Sequence, residues 1–132
     1  MIFLDLDDLL HIAYRVLGEP ATVRDTGLLQ AALARPQSTA GGQDAYPSID
    51  EKAGALLHSL CRNHSLVDGN KRLALAGTVA FYGMNGYRLQ MTNDAAYDLV
   101  TAVVIIKRED LRATAGILKA AARRTSSRGL SR

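Results

Sequence analysis

The stretch His64-Ser65-Leu66-Val67-Asp68-Gly69-Asn70-Lys71-Arg72 decides how this chain is read. It sets an imidazole, a carboxylate, a Gly-Asn pair and two cations within nine residues. Directly after it, Leu73, Ala76, Gly77, Ala80, Phe81 and Met84 recur at three- and four-residue spacing, the clearest helical pattern in the chain. Small residues at Ala74, Ala76, Gly77 and Ala80 leave room for a neighbour, so this is expected to be the central helix. The nine residues therefore stand at a helix start, where backbone N–H groups lack partners and the dipole adds partial positive charge. Gly69, Asn70 and Lys71 read as an anion cradle, with Lys71 and Arg72 neutralising a phosphate. No Walker pattern is involved. Asp68 can hold a magnesium ion shared with the phosphates. His64, five residues before the helix, can take a proton from an attacking hydroxyl near neutral pH. Together these groups suggest transfer of a phosphorus group.

Each residue also has an ordinary reading. His64 can cap the preceding helix, Asp68 can be a plain N-cap, and Asn70-Lys71-Arg72 can be a solvated first turn. Against the ordinary readings, cations in a helix's first turn oppose the dipole unless an anion is bound there. Such a conflict between local stability and sequence is expected of a functional site.

Working outward, the chain has 132 residues, 48% of them apolar, which suits one globular domain. With no Trp and few aromatics, the core should be Leu, Ala, Val and Ile. The net charge is only +3, and much of the excess lies in the last ten residues, at Arg123, Arg124, Arg128 and Arg132. That distribution fits a solvated tail better than a nucleic-acid surface. The single Cys61 excludes an internal disulfide. Asp5, Asp7 and Asp8 stand where a secretory signal would be basic, and the run Leu99 to Ile106 is too short to span a bilayer. A cytoplasmic protein with no membrane partner is expected.

Six helices and no sheet follow from the pattern, an all-α fold. Asp5 caps a first helix to Leu17, closed by Gly18 and Pro20. Asp25 caps a second, Thr26 to Ala34, ended by Pro36. Gln37 to Pro47 is a loop or short hairpin around Gly41-Gly42. Ser48 and Glu51 form a capping box for a helix to about Arg62, with Ala53, Leu56, Leu57, Leu60 and Cys61 buried. Asn85-Gly86 ends the central helix, and Tyr87 to Met91 is briefly extended. Thr92 or Asn93 caps a helix through Ile106, and the last helix runs from about Glu109 to Arg123 with Ala122 on its apolar face. The domain spans 1–124, and the basic tail 125–132 is expected to be disordered.

The nine residues resemble the motif of the Fic/Doc superfamily. Fic proteins carry H-P-F-x-[DE]-G-N-G-R, and the Doc (death-on-curing) branch carries H-x-F-x-D-x-N-K-R; here the residues are H-S-L-V-D-G-N-K-R. Lys71 places the chain on the Doc side, whereas Gly69 matches Fic, and Leu66 stands where the family has Phe. Val23-Arg24-Asp25, Leu28-Leu29 and Ala31 to Pro36 are similar to the N-terminal half of Doc-type proteins, and the likeness covers roughly residues 3–122.

The resemblance implies a compact bundle of the Fic/Doc type, and a toxin of a type II toxin–antitoxin system. It implies His64 as the base, Asp68 as magnesium ligand or orienting group, and Gly69, Asn70 and Lys71 as the anion cradle. Arg72 would hold a nucleotide phosphate. ATP would be the substrate, its γ-phosphate passing to a threonine of elongation factor Tu and so stopping translation. The partner would be an antitoxin of the prevents-host-death type. Leu66 should keep the Phe's place as core anchor, and the loop Gln37 to Pro47 falls where the family places the flap that aligns the target. The alternatives are a Fic-like AMP transferase and a non-catalytic module that binds a partner or nucleic acid. A zinc site of His58, Cys61 and His64 matches no trusted ligand spacing, and Cys61 falls on a buried stripe.

Overall fold

The computed structural model describes residues 1–105 and 111–125. Six helices carry the fold: α1 (Leu6–Leu17), α2 (Thr26–Ala34), α3 (Ile49–Arg62), α4 (Asn70–Met84), α5 (Asn93–Ile105) and α6 (Arg112–Ala121). Their starts follow local chemistry. Asp5 and Asp8 close a reciprocal capping box on α1, and Ser48 and Glu51 do the same on α3. The Asp25 carboxylate accepts from the Leu28 N–H at 3.2 Å to cap α2, and the Thr92 hydroxyl accepts from Ala95 at 3.1 Å before α5.

One apolar core joins these helices. Leu9, Leu29, Leu56, Leu57, Leu60, Leu73, Phe81, Val103 and Leu118 are all buried in it. Helix α4 packs against α3, α1 and α5. A Cβ at Gly77 would lie 3.3 Å from Leu60 and 3.4 Å from Leu9, so the small-residue stripe does set the close approach of α1, α3 and α4. Helix α3 is more enclosed than its stripe implied, with every residue from Lys52 to Cys61 buried. Its polar residues survive burial because each has a partner. The Lys52 ammonium donates to the Tyr46 carbonyl at 2.6 Å and pairs with the Asp44 carboxylate at 3.1 Å. Arg35, also buried, donates to the Ser59 hydroxyl at 2.9 Å and the Tyr46 hydroxyl at 3.0 Å, and meets His58 Nδ1 at 2.7 Å.

Two small antiparallel strand pairs accompany the helices, the first being the short hairpin expected within Gln37 to Pro47. Strands β1 (Thr39–Ala40) and β2 (Gln43–Asp44) pair across Gly41-Gly42, whose φ values of +60° and +81° give a tight two-residue turn. Strands β3 (Tyr87–Leu89) and β4 (Ala122–Arg124) pair antiparallel, with Arg88 opposite Arg123. The last helix thus ends at Ala121, two residues before the expected Arg123, and Ala122 belongs to a strand. Helix propensity loses there because the exposed edge of Tyr87–Leu89 offers a ladder to the returning chain. Arg123 and Arg124 therefore belong to the fold rather than to a solvated tail, and the Arg124 guanidinium lies 5.6 Å from the Tyr87 ring centre. Ile106, Glu109 and residues 126–132, with Arg128 and Arg132, lie outside the described residues.

Candidate active site

The site is built where α3 ends and α4 begins. Asn63, not His64, caps α3, its N–H donating to the Ser59 carbonyl at 2.9 Å. His64 follows with φ +50°, the left-handed region, and it is the one non-glycine residue there among the described residues. A conformation of that kind persists only where its surroundings dictate it. Here the connection between α1 and α2 does so. The Arg24 guanidinium donates to the His64 carbonyl. The N–H groups of Arg24 and Asp25 donate to the Ser65 carbonyl at 2.7 and 3.1 Å, and Val67 N–H donates to the Thr22 carbonyl at 2.9 Å. Val23 and Leu66 form an antiparallel bridge between these hydrogen bonds.

Leu66 is 2% exposed and so fills the anchor position in the core. Its backbone is held from inside the loop. The Asn70 amide oxygen accepts from the Leu66 N–H, and the Asn70 amide nitrogen donates to the Leu66 carbonyl, both at 2.9 Å. Asn70 thus spends its amide on fixing the loop, a role its place in the anion cradle did not reveal.

Gly69 is the N-cap of α4, with φ +89° and no side-chain cap. The backbone conformation favours glycine, and a Cβ there would stand 2.6 Å from Leu17 Cδ2, so the end of that side chain would have to move. Asp68 is therefore not the cap of α4, just as His64 is not the cap of α3. The first turn of α4 contains no acid and carries Lys71 and Arg72 instead. Its N–H groups and dipole stay open to an anion.

His64, Asp68, Lys71 and Arg72 are exposed, and with Val67, Gly69, Asn70 and Cys61 they line one open cleft of about 400 Å³. A smaller cleft of about 100 Å³ adjoins it, where Val67, Asp68 and Arg72 face Leu17 and residues 19–22. Among the described residues the Asp68 carboxylate has no ion pair, the described pair being Lys52–Asp44. No group of three or more His, Cys, Asp or Glu is gathered to hold a metal, so the zinc reading finds no cluster among the described residues. Magnesium is a different case, because it is commonly held by one or two carboxylates together with substrate phosphates. An exposed carboxylate beside an uncapped helix start fits that requirement. Cys61 lies under the cleft floor at 1% exposure. Burial pushes its thiol up to about 12, with the nearby Lys71 ammonium acting in the opposite direction.

The loop Gln37 to Pro47 is anchored on the flank of α3. Its hairpin is fastened by Lys52 and Arg35 to α3, and Lys52 precedes His64 by about 18 Å of helix rise. No residue of this loop lines either cleft. The segment strapped to the motif loop is Thr22–Asp25. Sequence spacing alone does not locate it, because the pairing joins residues about forty positions apart. The contribution of Arg24 was missed for the same reason.

These features define an all-α domain whose chemistry sits at a loop running into an uncapped helix, with an imidazole, a carboxylate and two cations facing one cleft. The chain belongs to the Fic/DOC family, whose model matches residues 3–82. It is similar to the Toxin Doc of Mycolicibacterium smegmatis, 50% identical over 103 residues, which covers 76% of this chain and 79% of that protein. No helix among the described residues is long and apolar enough to cross a membrane.

Proposed function

We propose that this chain is a Doc-like toxin of a type II toxin–antitoxin system, a protein kinase that passes the γ-phosphate of ATP to a threonine hydroxyl of elongation factor Tu and so inhibits translation. The observation that carries this reading is the start of α4: uncapped, free of acids, flanked by Lys71 and Arg72, and sharing a cleft with His64 and Asp68. Likeness to a protein named Toxin Doc supports the toxin role and a cognate antitoxin; the antitoxin in this reading is of the prevents-host-death type.

In this mechanism His64 takes the proton of the threonine hydroxyl as its oxygen bonds to the γ-phosphorus. The bond from that phosphorus to the bridging oxygen breaks, ADP leaves, and His64 returns its proton to solvent. The first-turn N–H groups of α4, Lys71 and Arg72 stabilise the charge on the transferring group. Asp68 would hold magnesium, which when bound supplies further charge neutralisation at the phosphates. Asn70 fixes the loop through its side-chain amide, while its backbone N–H belongs to the first turn that faces the phosphates. The loop Gln37 to Pro47 takes the role of the flap that aligns the target, while Thr22–Asp25 holds the motif loop in place.

The test is to incubate the chain with magnesium, elongation factor Tu and ATP labelled at either the α- or the γ-phosphate, with His64→Ala as control. Label from the γ-position alone, lost in the control, supports the kinase. Label from the α-position makes the chain an AMP transferase, the alternative that Gly69 favours; no label from either leaves a different target or an inactive binding module, which the same assay on a whole-cell lysate separates. Lys71→Gly is expected to shift transfer toward AMP. A Lys71→Gly variant that binds ATP yet yields no AMP-labelled target overturns the steric role of Lys71.

A further inference from the structure

We infer that Arg24 is the positioning residue for His64, holding the imidazole on the cleft by hydrogen-bonding the His64 carbonyl. The inference rests on His64 being the base, and it adds a residue outside the motif to the machinery. Four observations converge on it. His64 is exposed, so core packing does not aim its ring. What aims it is the direction of its Cα–Cβ bond, set by the left-handed backbone at φ +50°. Relaxing to an ordinary φ would swing the side chain away and release local backbone strain. Something must therefore oppose that relaxation.

The residue before His64 and the peptide group after it are both held by α2 and the segment leading into it. Asn63, before it, donates its side-chain amide to the Leu28 carbonyl at 3.1 Å. The His64 carbonyl, after it, accepts from Arg24, and the next carbonyl, of Ser65, accepts from the Arg24 and Asp25 N–H groups. Arg24 thus grips two successive carbonyls, one through its side chain and one through its backbone. The backbone bonds survive any substitution, so the side-chain bond is the part a variant can remove. Arg24 itself lines neither cleft, which sets it apart from Arg72 and from a phosphate ligand.

The experiment compares Arg24→Met, Arg24→Gln and Arg24→Lys in the full chain. Displacing a reacting group by about an ångström can cost on the order of 100-fold in rate. Arg24→Met is expected to lower kcat by about ten- to a hundred-fold with the KM for ATP within about twofold. Lys and Gln each keep a donor, and both are expected to recover part of kcat. In parallel, NMR reads the intraresidue amide–Hα contact of His64, which is short only at positive φ. It should weaken in Arg24→Met. A raised KM for ATP with kcat unchanged would make Arg24 a nucleotide ligand and overturn the inference. Recovery by Lys but not by Gln would mean that charge, not carbonyl donation, is the operative property, and would also overturn it. An unchanged His64 contact together with full kcat would do the same. Should Arg24→Met fail to fold, the Gln and Lys variants decide by the same readouts. The NMR measurement needs no substrate, so it separates failure of the positioning role from failure of His64 as base, which His64→Ala tests alone.

Discussion

Asn70→Ala isolates how the catalytic loop is held. The substitution removes two hydrogen bonds, each 2.9 Å long, and both end on the backbone of Leu66. Leu66 is a core anchor at 2% exposure, so its N–H and carbonyl lose their partners at the edge of the apolar interior. A net hydrogen bond contributes about 1 kcal/mol, and a buried group left without one costs about 1–3 kcal/mol. Water can reach the loop from the side of exposed Val67, so the lower part of the range applies to at least one group. The sum is a loss of about 2–4 kcal/mol. For a domain of this size that corresponds to a fall in Tm of roughly 6–15 °C. The assay is urea unfolding at fixed m-value, with hydrogen exchange of the Leu66 amide followed in parallel. Asn70→Asp gives a sharper comparison. It keeps the acceptor for the Leu66 N–H but replaces the donor to the Leu66 carbonyl by a carboxylate oxygen that repels it. Exchange at Leu66 should quicken strongly in Asn70→Ala and little in Asn70→Asp. A stability change below about 0.5 kcal/mol in Asn70→Ala, within the ordinary range for surface substitutions, would refute the idea that Asn70 holds the loop.

Two further outcomes follow from the same elements. Gly69→Ala meets left-handed strain of about 1–2 kcal/mol and the Leu17 side chain at 2.6 Å. It should lose about 2–3 kcal/mol in urea unfolding, of which about 1 kcal/mol returns in the Leu17→Ala background as a coupling energy; a loss under about 1 kcal/mol would contradict both causes. Cys61, raised from 9.0 to about 12 by burial, should resist alkylation at pH 8 in the folded chain and react readily in urea. Because its folded value is the higher one, its share of stability is complete below pH 9 and lost as the pH rises toward 12. The wild-type urea midpoint should then fall more steeply than that of Cys61→Ala across this window, and equal slopes would sink the assignment.

Much of this protein is local in origin, and that part was legible in the chain. Asp5, Asp25 and Ser48 start their helices because a side-chain oxygen two or three residues away satisfies an open N–H, which needs no distant partner. The repeat from Leu73 to Phe81 and the motif from His64 to Arg72 likewise lie within a few turns of chain. Family, fold class and the cluster at the start of α4 all rest on such near neighbours.

What only the tertiary structure decided involves groups far apart in sequence. The α6 pattern runs on into Ala122, yet pairing with Tyr87–Leu89 ends the helix at Ala121. Lys52 reads as the polar face of α3 and is buried, because the chain brings the Tyr46 carbonyl and Asp44 to it. The segment that holds His64 is Thr22–Asp25. Periodicity and capping report what a residue does for its own helix. A hydrogen bond to a carbonyl forty positions away, such as that from Arg24 to His64, leaves no period in the sequence, since any carbonyl accepts equally well and the choice is made by packing α2 against the end of α3.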